Sequence, residues 1–84
     1  MPISADAIRD KIRAAIPGAE VRVVDTTGTG DHYAATVVST AFRDQSLVDR
    51  HRLVYAALAD AMRGPIHALA LTTVTPDEQE RNRS

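Results

Sequence analysis

No cysteine occurs among the 84 residues. The chain therefore forms no disulfide, offers no nucleophilic thiol, and cannot build a thiolate metal centre from its own side chains. Tryptophan is also absent and aromatic residues amount to only 4%, so nothing in the composition signals an aromatic-lined pocket. Neither sign of charge dominates: ten Lys and Arg stand against eleven Asp and Glu, for a net charge of −1 and an isoelectric point near 6.2. Such a chain has no overall attraction for phosphate backbones, and nucleic-acid binding would need a local basic patch. Long apolar runs are missing as well. No stretch approaches the ~20 apolar residues of a membrane span, and the opening MPISADAIRDK lacks the apolar core of a signal peptide. A cytoplasmic protein without membrane contact is expected.

What is present is ordinary globular material, with 44% hydrophobic and 25% charged residues, unlike the apolar-poor composition of disordered chains. The length suits a single domain over residues 1–84, which buries roughly 60–70% of its unfolded surface. The residues from 79 onward are expected to form a frayed tail.

Periodicity and punctuation give the element order. Ser4 is an N-cap candidate, and Ile3 with Ile8 fits a hydrophobic staple. Ile8, Ile12, Ala15 and Ile16 then recur at helical spacing until Pro17-Gly18 stops the helix. AEVRVVDT (19–26) and HYAATVVS (32–39) are β-rich runs around a glycine-containing loop, which predicts a hairpin whose Gly28 and Gly30 supply positive φ. Phe42 is an apolar anchor before a second helix. That helix opens at Ser46, with Asp49 three residues on as in a capping box, and buries Leu47, Val54, Leu58 and Ala61 before Gly64-Pro65. Residues 66–73 read as a third strand. Thr75, Pro76 and Glu78 then suit the N-cap, N1 and N3 positions of a last helix. The fold class is α+β, in the order α-β-β-α-β-α. If strands two and three share a sheet, the crossover helix makes them parallel, and His32 and His67 then begin neighbouring strands at one sheet edge, strands lying about 4.8 Å apart.

Three segments, VVSTAF, SLVDRHRLVYAAL and IHALALTTVTPDE, resemble the BolA family in that order and at that spacing. The resemblance covers roughly residues 5–80. It implies a small three-stranded mixed sheet with helices packed on it, similar to the class II KH arrangement. It also implies a partnership with monothiol glutaredoxins, in which a [2Fe-2S] cluster is shared with the glutaredoxin and glutathione, and His67 is the ligand from this side. His32 lies in a loop that varies between histidine and cysteine in the family, which makes it the candidate second ligand. Two departures stand out. Where the family commonly has a Phe-Glu-Gly-Lys turn, this chain reads Phe42-Arg43-Asp44-Gln45, and Gln79 stands near a frequent tryptophan.

Read from chemistry alone, both histidines also admit plainer roles: His67 as a half-buried ring bonded to backbone, His32 as a surface residue beside a turn. Iron–sulfur clusters take about four ligands, mostly thiolates, so a chain with three histidines and no thiol cannot easily hold one alone. A metal-bound imidazole must be neutral, so such a complex should weaken on acidification. His51, one turn before Tyr55, reads as structural. Arg43, Arg50 and Arg52 form either a solvated face or a basic patch for an acidic partner or for phosphate. Asp25, Asp31 and Asp49 accompany no nucleophile and base, so no enzyme is expected. The rival reading is a KH-like DNA-binding transcriptional regulator, although residues 41–48 lack the GXXG of that clamp. Association as a homodimer is also open.

Overall fold

The computed structural model describes residues 3–28, 32–63, 66 and 68–83, the side chains of residues 82 and 83 excepted. The expected order is met, with two refinements. Helices α1 (Ala5–Ala15), α2 (Leu47–Ala57), α3 (Ala59–Met62) and α4 (Pro76–Arg83) accompany strands β1 (Glu20–Asp25), β2 (His32–Val38) and β3 (Ala68–Val74). The first refinement is a 3-10 turn at Thr40–Phe42, capped by the Ser39 hydroxyl, which accepts from the Ala41 N–H. The second is a break at Leu58, whose backbone leaves helical geometry (φ −108°, ψ 12°), dividing the second predicted helix into α2 and α3. The Gly64-Pro65 stop, Gly30 and Asp31 fall outside the described residues.

The sheet has the order β1-β2-β3, with β1 antiparallel to β2 and β2 parallel to β3. Alternation along β2 puts Tyr33, Ala35 and Val37 on the buried face. Against that face pack Ile8, Ile12 and Ile16 of the first helical segment, Phe42, and Val54, Leu58 and Ala61 of the crossover. Two residues of the expected stripes are not in this core. Ala15 is exposed, and Leu47 is 61% exposed because it is the first residue of α2, two turns ahead of Val54, where burial begins.

The caps are where sequence and structure agree most closely. Ser4 accepts from Ala7 N–H at 3.0 Å and Ser46 from Asp49 N–H at 3.1 Å. At α4 the box is reciprocal: Glu78 N–H donates to Thr75 Oγ1 at 3.2 Å, and Thr75 N–H donates to Glu78 Oε1 at 2.8 Å. This cap corrects the expected fray, because α4 continues to Arg83.

Candidate functional site

Two regions carry the residues singled out above. At one end of the sheet, His32 opens β2 and is half-buried. Its carbonyl accepts from Thr26 N–H at 2.9 Å and from Thr26 Oγ1 at 3.2 Å, which fastens the strand start to the end of the hairpin. The turn before it is built by Asp25, whose Oδ1 accepts from Thr27 and Gly28 N–H, with Gly28 at φ +76° where a side chain would be strained. In the parallel ladder His32 is opposite Ala68, the residue that follows His67 in sequence. His67 itself lies outside the described residues. Among the described residues no group of three or more His, Cys, Asp or Glu is placed to hold a metal ion, so a metal at this edge needs donors from another molecule. That suits a chain that brings imidazole and no thiolate.

The second region lies between α2 and α4. Arg50 is only 13% exposed and is tied to four groups. Its guanidinium donates to Glu78 Oε1 at 2.6 Å and Oε2 at 3.4 Å, to Gln45 O at 3.0 Å and to Thr73 O at 3.5 Å, and it lies 5.9 Å from the Phe42 ring centre. It is thus a tie between the crossover helix, β3 and α4. Arg43 is exposed and pairs with Asp77 at 3.4 Å, and Arg52 is exposed beside Asp49 at 3.7 Å. The three arginines therefore do not form one unneutralised patch. Between them, Asp44 adopts φ +62°, the left-handed conformation that glycine takes most readily, so the turn keeps that backbone with a carboxylate in it. His51 meets Tyr55 edge-to-face, 6.4 Å between ring centres. Gln79 is half-buried and lines a cleft of about 610 Å³ with Arg9, Arg13, Glu20, Arg22 and Thr36, at the sheet end remote from His32.

The hydrogen bond from Arg50, reinforced by the Thr75 N–H, holds the Glu78 carboxyl down at about 2 from its ordinary 4.5. A depressed folded-state value means that the charged carboxylate stabilises the fold above about pH 4.5 and that this contribution fades as pH falls through about 2. Glu78→Gln is therefore expected to melt below wild type near neutrality, the gap closing on acidification across that window. Parallel thermal melts check this, and a gap that stays constant contradicts it. The residue was visible in the sequence only as a cap, since nothing in a linear pattern marks its pairing with Arg50, 28 positions away.

Comparison with known proteins places these features in a family. The profile of the BolA family, described as BolA-like protein, matches residues 7–78. Human BolA-like protein 1 is 36% identical over 96% of this chain, which spans only 64% of that relative. The DNA-binding transcriptional regulator BolA of Escherichia coli is 34% identical over 89% of this chain and 78% of its own length. The BolA domain of SufE1 from Arabidopsis thaliana superposes with a TM-score of 0.78 at 36% identity, covering 88% of this chain and 93% of that one. The chain belongs to the BolA-like family.

Proposed function

We propose that this BolA-like chain is a non-enzymatic adaptor that docks on a monothiol glutaredoxin. There it lends imidazole to a [2Fe-2S] cluster held otherwise by glutaredoxin and glutathione sulfur, for iron–sulfur trafficking or iron and redox regulation. The observation that carries the reading is the parallel pairing of β2 and β3 with His32 in register with Ala68. That pairing leads the His32 and His67 segments to the same sheet edge. A BolA domain in SufE1 adds an iron–sulfur context. His67 is the proposed principal donor and His32 the second. Replacing a thiolate by neutral imidazole lowers the negative charge at such a cluster, which raises its reduction potential and changes its lability. This chain's own contribution is positional: the Thr26 bonds fix the start of β2, and the Asp25 turn holds the loop ahead of it.

Anaerobic addition of the protein to a cluster-loaded monothiol glutaredoxin tests the docking step. The cluster-bridged glutaredoxin dimer should convert to a one-to-one heterodimer retaining iron and sulfide, read by native mass spectrometry. An unchanged glutaredoxin dimer would contradict the proposal.

One comparison favours a second reading, DNA binding, because the E. coli relative is named as a DNA-binding regulator. Here phosphate would meet Asp44 in the turn, Arg43 already paired with Asp77 and Arg50 already tied to Glu78. DNA affinity falling steeply with salt, as counterion release requires, would support that reading.

A further inference from the structure

The outer edge of β3 is a self-complementary strand-pairing surface. Among the described residues β3 pairs with β2 alone, and its other side carries backbone groups for which no second ladder exists. Their phase follows from two hydrogen bonds. Val74 O accepts from Ser39 N–H, at the end of β2, so Val74, Thr72 and Ala70 turn their backbone groups toward β2. Leu69, Leu71 and Thr73 turn theirs outward, consistent with Thr73 O receiving the Arg50 side chain.

Natural edge strands are usually blunted by charge, proline, a bulge or shortness. β3 has seven residues, ALALTTV, with no charge and no proline. The helix above it contributes as well. Arg50 reaches the β3 edge, and Leu53 is one turn further along the same side of α2, where it is 42% exposed. An apolar side chain thus overhangs an unprotected strand edge.

The geometry points to reversible homodimerisation through antiparallel β3–β3 pairing about a two-fold axis at Leu71, joining two three-stranded sheets into one of six strands. The occupant is a second copy because the outward residues are spaced symmetrically about Leu71. The two-fold sets Leu71 against Leu71, and Leu69 against Thr73 of the second copy, so outward groups meet outward groups along the whole ladder. On the open face Ala70 then lies opposite Thr72 of the second copy. Both are small and exposed, and an uncharged strand meets no like-charge repulsion when it pairs with itself. The two Leu53 side chains cover the seam on the helical face.

The test combines sedimentation equilibrium over a wide concentration range with amide hydrogen exchange. A monomer–dimer equilibrium is expected. The amides of Leu69, Leu71 and Thr73 should gain protection as concentration rises, while those of Ala70 and Thr72, already bonded to β2, should not change. Two double variants at exposed positions check the register. Ala70→Lys with Thr72→Lys places like charges opposite each other and should be monomeric throughout. Ala70→Glu with Thr72→Lys places opposite charges there and should dimerise. A wild type that stays monomeric, exchange independent of concentration, or identical behaviour of the two variants would each overturn the inference.

Discussion

Replacing Phe42 by alanine should destabilise the fold by about 3–5 kcal/mol, the usual result of emptying a large buried aromatic site. Phe42 is wholly buried, among the largest fully buried side chains of the core. It sits at the end of the 3-10 turn, where the chain leaves β2 for the crossover helix, so it contacts the elements that must agree for the sheet and helices to close. The Arg50 guanidinium lies over its ring, and truncation also removes that contact. Domains are stable by only about 5–15 kcal/mol, so the variant should lose a large part of its stability and melt roughly 12–40 °C lower. Leu47→Ala is the matched control. Being mostly exposed, it should stay within about 0.5 kcal/mol of wild type, although helical periodicity alone makes Leu47 a core residue. Denaturant titration of both variants separates the two; a Leu47 effect as large as that of Phe42 would contradict the packing described.

The second large effect is functional. His67→Ala should abolish the visible circular dichroism signature that wild type produces with a cluster-loaded monothiol glutaredoxin, while His32→Ala should alter the signature without removing it. The asymmetry follows from the proposed division of roles, a principal donor and a second one. Neither substitution touches the buried core formed by Phe42, Val54 and Leu58, so both variants should fold, and their melts provide the control. Wild type and His67→Ala giving the same spectrum would defeat the assignment of His67.

Much of this architecture could be read from the chain because its signals are local. Ser4, Ser46 and Thr75 are caps that declare themselves within four residues, and each makes the expected bond. The hairpin loop needs positive φ, and Gly28 supplies it. The parallel relation of β2 and β3 follows from the length of the connection between them. What sequence could not supply was non-local. Periodicity says which face of α2 is apolar but not where along its length burial begins, so Leu47 was placed in the core. Charge spacing suggests a patch of Arg43, Arg50 and Arg52, yet Arg50 is drawn inward by Glu78 on another helix. The break at Leu58 has no proline or glycine to announce it. At the candidate site, the strand starts were legible from topology, whereas the ligand roles of His67 and His32 rest on the family resemblance.

The central claim is that a nitrogen of this chain binds the cluster iron. The most direct measurement is pulsed electron paramagnetic resonance on the reduced complex, with ¹⁵N-histidine incorporated only into this chain and unlabelled glutaredoxin as partner. The account predicts a strongly coupled ¹⁵N signal in wild type that disappears in His67→Ala. A complex that forms and carries its cluster with no ¹⁵N coupling from this chain would contradict it.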